Sequence, residues 1–182
     1  MLDSLRPHAR LPFEERRLFV PRVFVSHRRA DADYALRIAW LANQEGFDFW
    51  LDVLDPTLGG IAPGPDASLA IAVAIEMALI NSSHVVAVMT QNTFGSRWVP
   101  YEYGRAKDEP PITSQAAAWV VPSYRGMQLP EYLHLGPIHY SEAELRAWFR
   151  FELGRWLVRP PAFAHPRAAA WPNDLPEPPR LP

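Results

Sequence analysis

The chain contains no cysteine. That excludes disulfides, thiolate zinc sites and cysteine nucleophiles, and it fits a cytoplasmic setting. Lysine is almost missing too: of 18 Lys and Arg residues only Lys107 is lysine. Arginine suits bidentate contact with phosphates, but a bias this general reads as GC-rich coding. The net charge of −2 gives no basic field for nucleic acid. Long apolar runs are absent. The most apolar window, Leu69–Ile80, is 12 residues long and is interrupted by Glu76, whereas a bilayer span needs roughly 20. Met1–Val20 is studded with arginine and glutamate and has no stretch of signal-peptide length. His8, His134, His139 and His165 show no paired metal spacing, so no metal is expected. No G-x-S-x-G, G-x-G-x-x-G or P-loop motif occurs.

What is present is an alternation of apolar strands with helices. Its 182 residues suit one domain with extensions: an N-terminal extension over 1–20, a domain over 21–158 and a tail over 159–182. Arg22–Ser26 reads as a buried strand. Asp31–Gln44 reads as a helix with Ala35, Ile38, Leu41 and Ala42 on its apolar stripe and Asp33, Arg37 and Gln44 off it, stopped by Gly46. Phe47–Leu51 is the second strand. Residues 53–65 hold three prolines and three glycines, which predicts a loop without regular structure, and loops of that length inside a domain are commonly functional. Asp66 is the expected N-cap of a helix over Ala67–Ile80. His84–Thr90 is the third strand. The next helix carries Glu102, with Pro100 confined to its first turn. Ala117–Val121 and Pro137–Tyr140 complete the strands. Ser141 and Glu144 spell a capping box for a last helix, to about Val158, that buries Leu145, Trp148, Phe149, Leu153 and Trp156. Such alternation predicts a parallel sheet covered on both faces. The tail holds eight prolines in 24 residues and reads as extended or disordered. Phe163 and Trp171 are its candidate anchors, and Pro172-Asn173-Asp174-Leu175-Pro176 is no clean recognition motif.

Three segments converge beyond the carboxyl ends of the strands, where such sheets bind ligands. They are Ser26-His27-Arg28-Arg29, Asp52 with the loop that follows it, and Asn92-Thr93-Phe94 through Glu102. Trp98 and Glu102, four apart, share a helix face, and a carboxylate beside an indole is desolvated rather than hydrated. Arginines beside a helix N-terminus form an anion site. One carboxylate, an aromatic wall and a positive corner suit a nucleotide. Blander roles stand beside these: a packing anchor for Trp98, a backbone bond at the strand end for His27, ordinary surface for one of the two arginines, a loop cap for Asp52. His84 is read as a strand start without chemistry.

Val23-Phe24-Val25-Ser26-His27 with Asp31 resembles the first box of a TIR (Toll/interleukin-1 receptor) domain. The 53–65 segment sits where that family has its BB loop. Ile75 to Val88 resembles the family's second helix and third strand, and Trp98-x-x-x-Glu102 the helix motif of its enzymatic members. The resemblance covers about Arg22–Val158. It implies a flavodoxin-like sheet of order 2-1-3-4-5. For catalytic bacterial members it implies cleavage of the nicotinamide–ribose bond of NAD+, with Glu102 as the essential carboxylate. Ser26, His27, Arg28, Arg29, Asp52, Phe94 and Trp98 would bind the substrate. NAD+ is then the substrate, and no cofactor is expected. Catalytic members assemble head to tail through the loop at 53–65. Stand-alone members resemble the signal-generating half of Thoeris-type antiphage systems, where a separate effector reads an ADP-ribose-derived product. The alternatives are a non-catalytic TIR interaction module, of adaptor or host-mimicking type, and a nucleoside deoxyribosyltransferase-like N-glycosidase.

Overall fold

A computed structural model of the chain describes residues 20–106, 115–158 and 175–179. Five strands form one parallel sheet: β1 (Arg22–Ser26), β2 (Asp48–Trp50), β3 (His84–Met89), β4 (Ala116–Val120) and β5 (Ile138–His139). Their spatial order is β2-β1-β3-β4-β5, the expected 2-1-3-4-5. The four longer helices are α1 (Ala32–Gln44), α2 (Ala67–Ile80), α3 (Trp98–Arg105) and α4 (Glu142–Val158).

The strands are apolar throughout because both faces are covered. Val23 pairs in register with His84 and Ser26 with Ala87, so side chains of one parity line each face. Val23, Val25 and His84 belong to the face under α1 and α4. There His84 lies among Phe47, Trp148 and Trp156, with Glu152 3.5 Å away. It sits at the start of β3, at the pole opposite the candidate site. Arg22, Phe24 and Ser26 belong to the face under α2 and α3, where Phe24 stacks on Trp50 at 4.6 Å.

Local signals account for the helix ends. Gly46 takes φ +91° just past α1, a left-handed conformation that lets a helix stop there. A side chain at that position would also crowd Leu153. Glu144 donates its N–H to the Ser141 hydroxyl at 3.2 Å, while its carboxylate reaches past Ser141 to the N–H of Tyr140.

Three expectations change. The 53–65 segment is not structureless: Asp52–Leu54 forms a 3-10 turn and Pro56–Gly59 a single helical turn, with Asp55 accepting the Thr57 N–H at 2.8 Å and Pro56 in the first position, where a missing N–H costs nothing. Asp66 holds the N-cap position of α2 but makes no capping bond, because its backbone is already helical there. Arg37 is not on an outer face but buried, its guanidinium held by Glu142. In the described part of the tail, Leu175 packs on the core and Glu177 pairs with Arg37. The proposed anchors Phe163 and Trp171 lie outside the described residues, as does Lys107.

Candidate active site

Glu102 is 5% exposed, on the inner side of α3 against the carboxyl end of β1. The Ser26 hydroxyl donates to its Oε2 at 2.5 Å. Ser26 is the last residue of β1, and it points to this face because it shares parity with Phe24. Burial pushes the Glu102 carboxyl up to about 7; the Ser26 bond opposes that shift and the neighbouring Asp52 carboxylate adds to it. The cause is desolvation of the charged form. A carboxyl so placed changes charge near neutral pH, as expected of a group with chemistry to perform.

His27 follows Ser26. Its Nδ1 faces the Val25 carbonyl at 3.0 Å, so Nδ1 carries a hydrogen, and Nε2 stands 3.2 Å from Asp52 Oδ1. That second contact is too far out of line to count as a hydrogen bond. Asp52 also accepts the Val53 N–H at 2.7 Å, starting the 3-10 turn. The backbone-anchoring role of His27 is thus present, and Asp52, bonded to the N–H that follows it, lies near enough to Glu102 to raise its pKa. Ser26, His27, Asp52 and Glu102 come together from the ends of β1 and β2 and from α3.

The other candidates do not join this cluster. Arg28 and Arg29 are exposed at the turn that opens α1. Phe94 is 75% exposed. Trp98 is 40% exposed and lines an outer groove of about 590 Å³ with Ala72, Val73, Glu76, Arg97 and Tyr101, its ring edge-on to Tyr101. Helical spacing gave Trp98 and Glu102 a common helix, but the partner given to Glu102 is Ser26.

A second network lies beside the first and was missed. The Thr90 hydroxyl and the Asn92 amide both donate to Asp31, each at 2.8 Å, while Thr90 and Thr93 form a capping box. These bonds tie the end of β3 to the start of α1. The Thr90-x-x-Thr93 spacing at a strand end was the available signal. Across the helices, Glu76 of α2 accepts from the Tyr101 hydroxyl at 2.6 Å and from Arg105 Nε at 3.0 Å. That pins α3, and with it Glu102. Among the described residues no group of three or more His, Asp or Glu side chains converges to hold a metal ion, and no helix is long and apolar enough to cross a membrane.

A family model described as the TIR domain matches residues 23–150. The chain belongs to the TIR domain family. No curated protein matches it. Among solved structures it is similar to the TIR domain of the Toll-related receptor TRR-2 from the lower metazoan Hydra magnipapillata, with a TM-score of 0.50 and 17% identity, over 75% of this chain and 98% of that one. At such identity the likeness shows the fold alone. The Ser26–Glu102 pair therefore lies inside the TIR domain, at the carboxyl ends of its parallel strands.

Proposed function

We propose that this TIR domain is an NAD+-consuming enzyme that breaks the bond between nicotinamide and ribose, with Glu102 as its catalytic carboxylate. The observation that carries this reading is a carboxyl 5% exposed whose pKa burial brings to about 7 at the ligand-binding end of a parallel sheet. Breaking the bond returns its electron pair to the pyridinium nitrogen, and nicotinamide leaves neutral. The ribose is left as an oxocarbenium ion, as in glycoside cleavage. The ionised Glu102 stabilises that cation, and in a desolvated site the attraction is far stronger than in water. The positive pyridinium of the bound substrate itself favours the ionised form. Water or a hydroxyl then captures the cation and loses a proton. No separate general acid is required. Ser26 holds the carboxylate in place, and His27 and Asp52 border the substrate.

In the same reading copies self-associate through the 53–65 segment and the neighbouring α2, and the product is an ADP-ribose-derived signal read by a separate effector in antiphage defence. The exposed apolar side chains of Leu69, Val73 and Met77 support the association, since contiguous apolar surface marks interaction sites. The signalling role rests on the resemblance to signal-generating members alone. The same α2 surface also favours the second reading, a non-catalytic TIR interaction module. Mass spectrometry after incubating concentrated protein with NAD+ separates the two. The enzymatic reading expects nicotinamide plus ADP-ribose or a cyclised or conjugated form from wild type and not from Glu102→Ala. Equal silence of both supports the interaction module, and activity on deoxynucleosides instead of NAD+ supports the deoxyribosyltransferase-like reading.

A further inference from the structure

On the face of the sheet away from Glu102, the ends of β4 and β5 and the helices α1 and α4 leave a groove of about 640 Å³. Its walls include Trp40, Trp119 and Tyr140, and its cations are Arg37, Arg125 and Arg146. Arg37 is its anchor. Glu142 accepts along one edge of the guanidinium, from Nε at 2.8 Å and from Nη2 at 2.9 Å, and the guanidinium carbon lies 4.5 Å from the centre of the Trp40 ring. A guanidinium fixed in this way has a set orientation before any further ligand arrives. Its remaining nitrogen, Nη1, donates to the Glu177 carboxylate at 3.1 Å and to the Pro178 carbonyl at 3.3 Å. Leu175 packs on the adjoining core.

The segment so bound reads Leu175-Pro176-Glu177-Pro178-Pro179. Prolines hold it extended before it binds, so docking orders little chain, and aromatic-walled grooves take such segments for that reason. Arg37 adds a demand for a carboxylate between the prolines. The arrangement is that of a peptide-recognition site with its ligand attached. Sixteen residues, 159–174, separate it from the end of α4. They reach at most roughly 55 Å, more than the ~35–40 Å width of a domain of this size, and so far enough for the groove of a neighbour. In one copy the tether holds the segment at an effective concentration in the millimolar range. Exchange between copies replaces each contact with an identical one, and it competes when self-association brings grooves and tails together.

We propose that the Arg37 groove is a recognition site for a proline-flanked carboxylate, and that Leu175–Pro179 of a second copy occupies it in exchange for the chain's own. The proposal does not depend on NAD+ cleavage. The test uses full-length chains and a synthetic peptide of residues 172–182. Glu177→Ala empties the groove of its own carboxylate. Calorimetric titration should show the peptide binding Glu177→Ala at least tenfold more tightly than wild type, and a peptide carrying Glu177→Gln should lose at least tenfold. Mixing Glu177→Ala chains with Arg37→Ala chains, which keep an intact tail, should give a heterodimer in sedimentation at concentrations where neither alone dimerises. No saturable binding, or binding indifferent to the Glu177→Gln change, overturns the recognition site whether or not Arg37→Ala folds. Peptide binding without any heterodimer, with Arg37→Ala folded by circular dichroism, overturns the second-copy occupant.

Discussion

The hydroxyl of Ser26 and the carboxylate of Glu102, 76 positions apart in sequence, meet at 2.5 Å where β1 ends and α3 begins its inner face. That one bond joins the sheet to the helix carrying the proposed catalytic group, and it is the interaction that holds the Glu102 pKa down against burial.

Ser26→Ala should therefore move the Glu102 pKa upward from about 7. If cleavage needs the ionised form, kcat/KM for NAD+ rises with pH through that pKa, and in Ser26→Ala the acid limb of the profile shifts to higher pH. Asp52→Asn should do the reverse, because the Asp52 carboxylate raises the pKa, though KM also changes if Asp52 borders the ribose. Opposite displacements of the limb are the expected outcome; a limb fixed in both variants assigns it to another group.

Glu102 also makes a stability claim. Its folded pKa, about 7, stands above the ordinary value of 4.5. Between those values the folded state keeps a proton that the unfolded state has released, so stability falls as pH rises through this window and levels off above it. The displacement corresponds to on the order of 3 kcal/mol. Glu102→Gln removes it, so the variant should lose about 10² to 10³ in activity and yet melt at a higher temperature than wild type at pH 8, with little difference at pH 4.5. Equal melting at both pH values would place the carboxylate in a better-solvated setting than the geometry shows.

The α2 helix exposes Leu69, Val73 and Met77 at 67%, 53% and 52%, beside a groove of about 730 Å³ that runs between it, Trp50 and Asp55. Val73→Glu and Met77→Glu should leave the fold intact, since exposed positions tolerate change within about 0.5 kcal/mol. Both should weaken self-association at least tenfold by sedimentation, and lower NAD+ turnover most at low protein concentration. Unchanged association would move the contact away from α2.

Much of this was legible because the signals are local. β1 was readable to the residue from its apolar run, α2 from its composition and length, and the sheet order from the resemblance. β2 came out shorter than Phe47–Leu51, since its flanking residues are buried without pairing. Burial of Arg37 was not legible: an arginine off the apolar stripe looks solvated until Glu142 and Glu177, 105 and 140 positions away, are brought to it. The site divides likewise. Spacing put Glu102 on a helix at the sheet's mouth, but the choice of Ser26 over Trp98 as its neighbour depends on how α3 is rotated. That rotation follows from the burial of Val99 and Tyr103 on the inner side of α3, with Tyr101 and Arg105 bonded to Glu76 across the helices.

Release of nicotinamide from NAD+ by wild type and Glu102→Gln, both confirmed as folded and assayed side by side at high protein concentration, tests the central claim most directly. The account predicts steady release by wild type and a loss of about 10² to 10³ in the variant. Equal release by the two, or none from a fully assembled wild type, would contradict it.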